Sequence, residues 1–223
     1  MTKKLFFQAL LRFVLGLALV MALLFIPAGT LCFWQAWLFI ALLFVPMFAM
    51  GIVLVFRNPA LLRKRLDSKE KEQEQKNVVV MSGLLFLAMF VTAGLNHRFC
   101  WWTLPDWFVM AAAVIFLLGY AMYAEVMREN VWLSRTVEVQ EHQQVVDTGL
   151  YGIVRHPMYT ATLLLFLSMP LVLASPWSFV IMLLYVPIIV KSIHNDEAVL
   201  QQDLKGYKEY MQRVRYRLIP YIW

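Results

Sequence analysis

Residues Gly149 to Tyr159 read Gly-Leu-Tyr-Gly-Ile-Val-Arg-His-Pro-Met-Tyr and lead into a strongly apolar stretch. A turn residue, an arginine, a histidine and two tyrosines thus stand at the mouth of a membrane helix, where polar groups are costly unless they face protein, water or a ligand. Pro157 suits the first turn of that helix, because its missing N–H would be unpaired there anyway. Arg155 and His156 then sit at the positive N-terminal end of the helix, a place that favours a carboxylate or phosphate. A second polar set follows further along the chain: His194-Asn195-Asp196-Glu197, then Tyr207, Tyr210, Arg213, Arg215 and Arg217. Acids 196 and 197 facing a basic helix start would suit a zwitterionic ligand, its carboxylate toward the helix and its amino or ribose hydroxyl groups toward the acids.

The elements that position these residues follow from composition. The 223 residues are 61% hydrophobic and 15% charged, with a mean hydropathy of +0.66. A soluble domain would carry about a quarter charged residues. The apolar residues come in blocks long enough to cross a hydrocarbon core, which takes roughly 20 residues. The expected fold is therefore all-α: a polytopic transmembrane helical bundle of about six spans. The spans run from about Leu5 to Pro27, Leu31 to Phe56, Val78 to Leu95 and Trp107 to Val126. The block from Pro157 to Ile193 crosses twice as a helical hairpin turning at Ser175-Pro176. Pro46 is a candidate kink, and Ala28-Gly29-Thr30 is short enough to force a tight antiparallel pair. The first block lacks the small-residue cleavage site of a signal peptide.

Two regions are expected: residues 1–126 with four spans, and residues 127–223 with the polar stretch, the final hairpin and a cytosolic tail. Lysine and arginine placement orients them. Six spans with both termini in the cytosol put all of the 20 basic residues except Arg98 at the inner side, as the positive-inside rule requires. Trp34, Trp37, Trp101, Trp102, Trp107 and Trp177 then form an outer aromatic belt. The net charge of +6 is explained by topology and anionic lipid rather than by nucleic acid. Residues 66–77 read as a solvated mixed-charge segment. Cys32 and Cys100 have no CxxC or Cys/His neighbours, so neither a disulfide framework nor a metal site is expected. His97 and His142 read as structural, and Arg213, Arg215 and Arg217 read as headgroup or topology charges.

The order Gly-x-Tyr-x-x-x-Arg-His-Pro-x-Tyr, a membrane hairpin, Asp196-Glu197-Ala198-Val199-Leu200, Tyr207-x-x-Tyr210 and Arg217-Leu218-Ile219-Pro220 resembles the isoprenylcysteine carboxyl methyltransferase family. Phospholipid N-methyltransferases share that C-terminal design. The resemblance covers roughly residues 125 to 220. It implies an integral membrane methyltransferase using S-adenosyl-L-methionine at a cytosolic site formed with the C-terminal tail. Carried position by position, it assigns Tyr151, His156, Pro157, Met158 and Tyr159 to the cofactor-binding turn. Gln143, Val145 and Val146 match the strand-like stretch along the cofactor, and Asp196 and Glu197 match the acidic pair that closes the site. Arg155, Tyr159 and Glu197 are the residues expected to shape the reaction centre. This chain departs from the pattern at Ala161, usually glycine, at Asp196, usually glutamate, and at Ser192, where eukaryotic members carry a substrate arginine.

The implied reaction is an in-line methyl transfer to a lipidic or amphipathic substrate entering from the bilayer, by carboxyl O-methylation or amine N-methylation. A carboxylate needs no base; an amine or thiol would call on His156, Glu197 or Tyr159. A membrane reductase using NADPH shares the hydrophobic plan and a C-terminal nucleotide site. A transporter or scaffold is the non-enzymatic alternative, though the chain shows no internal repeat. Sparse loops and the lack of a retention motif lean toward a bacterial inner membrane over the endoplasmic reticulum.

Overall fold

A computed structural model describes residues 2–57, 73–130, 132, 139 and 141–223. The helices are α1 (Thr2–Ala28), α2 (Trp34–Arg57), α3 (Gln73–Phe99), α4 (Asp106–Glu129), α5 (Pro157–Val172), α6 (Pro176–Leu183), α7 (Tyr185–Asp203) and α8 (Tyr207–Arg213). A 3-10 turn at Gly149–Gly152 precedes α5, and there is no strand among the described residues.

Five stretches are long and apolar enough to cross a membrane: Phe6–Ala28, Trp34–Val53, Val79–Phe99, Asp106–Glu129 and Pro176–Asp203. The shorter apolar α5 adds the other arm of the final hairpin. Apolar side chains such as Leu15, Leu19, Ile26, Val114 and Leu118 point outward along these helices. Water would not tolerate so much exposed hydrocarbon, whereas lipid solvates it. The protein is a multi-pass membrane protein of all-α fold. The four N-terminal spans fall where hydropathy put them. The expectation for residues 66–77 lies outside the described residues as far as 72, and from Gln73 the chain is helical.

The chain divides into two compact units. The first comprises residues 1–113 and 168–183. Lipid tails are as apolar as leucine, so membrane helices associate by close approach at small residues. Gly94 on α3 does this against α1: a Cβ there would come within 2.6 Å of the Leu24 carbonyl oxygen and 3.1 Å of the Ala28 nitrogen. Ala28 and Ala93 are buried in the same unit. Gly29 ends α1 with φ +67° and donates its N–H to Phe25 O, which makes the short turn into α2 possible. Phe39 on α2 meets Phe90 on α3 at 5.6 Å between ring centroids, and Ser178 on α6 donates to Met89 O on α3. Asn96, 1% exposed, holds the α3–α4 link by donating to Trp102 O and accepting from Trp102 N. His97 stacks on Phe33 at 4.1 Å, a packing role. All six belt tryptophans are exposed, at or beside helix ends.

The second unit comprises residues 114–167 and 184–223. Here α4 approaches α5 closely at Gly119, where a Cβ would lie 3.1 Å from Leu165 N. Ala161 is fully buried in α5. Phe166 on α5 packs edge-on against Tyr185 on α7 at 4.9 Å. This unit contains every residue of the candidate site.

Candidate active site

The turn before α5 is fixed from several sides. Tyr151 N and Gly152 N donate to Thr148 O, and Ile153 N donates to Leu150 O. Gly149 has φ +51°, and a side chain there would collide with the Glu129 carboxylate. That carboxylate instead accepts Leu150 N–H at 3.0 Å. Asn130 Nδ2 donates to Tyr151 Oη at 2.9 Å, and Tyr210 Oη donates to Tyr151 O at 2.7 Å. Glycine is required at 149 by both its backbone conformation and the space Glu129 fills.

Beyond the turn the chain runs into α5 with Pro157 as its first residue. Asp196 and Glu197 are successive residues of α7, so their side chains leave the helix about 100° apart. They find different partners. Glu197, 3% exposed, accepts Arg155 Nε on Oε1 at 2.8 Å and Arg217 Nε on Oε2 at 2.9 Å; His156 Nε2 stands 3.3 Å from Oε1. Asp196 is half-buried and accepts the Tyr159 hydroxyl at 2.8 Å.

The tail from Val214 to Leu218 completes the arrangement through its backbone. Arg155 Nη1 donates to Val214 O and Arg215 O at 2.9 and 2.8 Å. The N–H groups of Arg155 and His156 donate to Tyr216 O and Arg217 O, and Thr160 Oγ1 donates to Leu218 O. The tail thus takes up the N–H groups of the two residues that precede α5. Arg217 also lies over the Trp223 ring at 5.2 Å.

Charge accounting separates the two acids. Two guanidinium groups converge on Glu197, whereas no ion pair among the described residues engages Asp196. A buried charge persists only when paired and hydrogen-bonded, and Glu197 meets both conditions. Burial pushes the Tyr151, Tyr207 and Tyr210 hydroxyls above their ordinary range, so they remain neutral donors.

The structure brings Arg155, His156, Tyr159, Asp196 and Glu197 together. Tyr151 and Pro157 are buried beside them in sequence, and Met158 is half-buried with its carbonyl accepting Thr162 Oγ1. Gln143, Val145 and Val146 are half-buried on a stretch without helix, and Val145 packs against the cluster of Leu204, Tyr207, Tyr210 and Val214. The reading of the tail arginines needs correction at Arg217, which is bound to the buried Glu197 at 2.9 Å. Arg213 pairs with Asp147 at 2.8 Å at an exposed position. Glu129, Asn130 and Arg217 were not singled out as site residues. The last stands in sequence as one of three arginines in a basic tail, with nothing to set it apart.

The comparisons with known proteins bear on this geometry. Residues 107–203, which hold Arg155, His156, Tyr159, Asp196 and Glu197, match the family model for phospholipid methyltransferase. The fold is similar to that of the eukaryotic intramembrane Ras methyltransferase ICMT (isoprenylcysteine carboxyl methyltransferase). That likeness has a TM-score of 0.59 at 17% identity and covers 96% of this chain and 77% of that one. The Delta(14)-sterol reductase of Mus musculus is 30% identical over 91 residues, 40% of this chain and 22% of that protein. The match therefore spans about a fifth of the length of that curated relative. The fold is thus that of an integral membrane methyltransferase. The segment that carries the site residues, 107–203, is similar to the phospholipid methyltransferase family.

Proposed function

We propose that this protein transfers a methyl group from S-adenosyl-L-methionine to a lipidic or amphipathic substrate that reaches the site from the bilayer. The observation that carries the reading is the pairing of Tyr159 with Asp196 beside the Arg155–Glu197–Arg217 knot, inside the segment that matches the phospholipid methyltransferase family.

The donor set suits such a cofactor. Asp196 is an acid engaged by a neutral hydroxyl rather than by a guanidinium, which fits the positive charge of a sulfonium or α-ammonium group. S-adenosylmethionine supplies an electrophilic methyl group when bound. The protein's part is to place the acceptor and exclude water. Arg155 and Glu197 hold the start of α5 against α7 and the tail, so that Tyr159 and Asp196 keep their relative positions. Asp196 carries the lone pairs that could take a proton from an amine acceptor, while a carboxylate acceptor would need no base. Gln143, Val145, Val146, Tyr151, His156, Pro157 and Met158 flank the cofactor in this reading. Both termini face the cytosol, in agreement with the distribution of lysine and arginine, and the bacterial inner membrane is the proposed location.

The sterol reductase similarity favours a second reading, a membrane reductase using NADPH. One experiment separates the two: calorimetric titration of detergent-purified protein with S-adenosylhomocysteine and, separately, with NADPH. Micromolar binding of the former is expected, weakened by Asp196→Asn. Binding of NADPH alone would reject the methyltransferase.

A further inference from the structure

The two tyrosines of α8 are bonded differently. Tyr210 Oη donates to Tyr151 O at 2.7 Å and so fastens the tail to the turn. Tyr207 is 4% exposed, and among the described residues its Oη has no hydrogen-bond partner. The rings are 5.6 Å apart in one apolar cluster, so the difference arises from where the two hydroxyls point. Burying a hydroxyl unpaired costs about 1–3 kcal/mol, and phenylalanine would fill the same space without that cost. A buried hydroxyl without a partner is therefore a group to which a use can be assigned.

Its surroundings narrow that use. Gly206, with φ +87°, starts α8, and its Cβ position is 3.9 Å from Val145 Cγ2. Val145 also packs against the cluster that contains the Tyr207 ring. The cluster that holds the ring thus adjoins the 143–146 stretch at Val145. The same cluster reaches the acid pair, because Val214 within it accepts Arg155 Nη1 through its carbonyl, and that guanidinium is bound to Glu197. Tyr207 Oη is thus a buried donor in a cluster that touches both Val145, of the stretch assigned to the cofactor, and Arg155, the partner of Glu197.

We propose that Tyr207 Oη is a ligand-binding group of this site, donating a hydrogen bond to an oxygen or ring nitrogen of the nucleoside part of S-adenosylmethionine. The proposal rests on the methyltransferase reading. A nucleoside offers neutral lone pairs, which a neutral phenol matches, whereas the cationic end of the cofactor matches Asp196. Proximity to Val145 favours the cofactor over the methyl acceptor.

Tyr207→Phe removes one oxygen and nothing else. Wild type and Y207F would be titrated with S-adenosylhomocysteine in detergent, and the Tm of each recorded without ligand. The expected result is a Kd weakened about tenfold, equivalent to about 1.4 kcal/mol, with an unliganded Tm unchanged or raised. Tyr210→Phe is the counterpart and should lower the unliganded Tm, since it breaks a bond within the fold. Equal affinity of Y207F and a binding wild type would overturn the role of Tyr207 and leave the methyltransferase reading standing. A lower unliganded Tm for Y207F would also overturn it, because the hydroxyl would then be holding the fold. No binding by wild type would reject the methyltransferase reading and this proposal together.

Discussion

Arg155 Nε lies 2.8 Å from Glu197 Oε1 while Nη1 of the same guanidinium grips the carbonyls of Val214 and Arg215. One planar side chain thereby joins the start of α5, the end of α7 and the tail. A lysine could not reproduce this, because an ammonium lacks the fixed fork of donors. Arg155→Lys is expected to destabilise the protein by about 3 kcal/mol, in the range for breaking a buried pair. Thermal unfolding in detergent would read this as a lower Tm. An unchanged Tm would mean that the knot does not hold the fold.

Glu197→Gln keeps the shape but removes the charge on which two guanidinium groups converge. Its expected cost is also about 3 kcal/mol, since Arg155 would be left buried without its counter-ion. Measured together, Arg155→Lys and Glu197→Gln should be strongly non-additive. Simple addition of the two Tm shifts would show that the residues act separately.

Tyr159→Phe removes the hydroxyl from Asp196 without touching the Glu197 knot. A modest loss of stability, about 1 kcal/mol, is expected for one part-buried hydrogen bond. Under the proposed function, methyl incorporation into extracted lipid should fall about tenfold, as for a misplaced group in a positioned site. A fall in Tm as large as that of Glu197→Gln would instead class Tyr159 as structural.

Gly94→Leu should destabilise the protein by about 2 kcal/mol, as overpacking does, because backbone rather than a flexible side chain blocks the added Cβ. Gly83 on the same helix has nothing within 4 Å of its Cβ position. Gly83→Ala should therefore leave Tm unchanged or raise it, because alanine is the better helix former. Equal effects of the two substitutions would remove the close α1–α3 approach as a source of stability.

The helices were legible because membrane spans are written in hydropathy alone: the apolar block around Leu15 and Leu19 needs no partner to be recognised. The turn at Ser175-Pro176 and the start of α5 at Pro157 were legible from the backbone chemistry of proline. The convergence of Arg155, His156, Tyr159 and the acids on one place came from the hairpin that returns the chain to the same side. The division of labour between Asp196 and Glu197 was not legible. Two adjacent acids look alike in sequence, and only the helical rotation between them decides which meets the guanidinium groups. Arg217 was hidden for the same reason: a basic residue in a basic tail reads as a topology signal until a buried carboxylate is found beside it. Gly94 differs from Gly83 only in what α1 puts opposite it.

The reliance of Arg155 on carbonyls up to 60 residues downstream has a consequence for biosynthesis. As the chain leaves the ribosome, α5 is made before α7 and well before Val214 and Arg215. Until those residues emerge, Arg155 has neither its carboxylate nor its carbonyls, so the start of α5 must wait in a hydrated environment at the membrane surface. The start of α5 therefore matures last, and a ribosome stalled before Val214 would leave its helices made but Arg155 without these carbonyls.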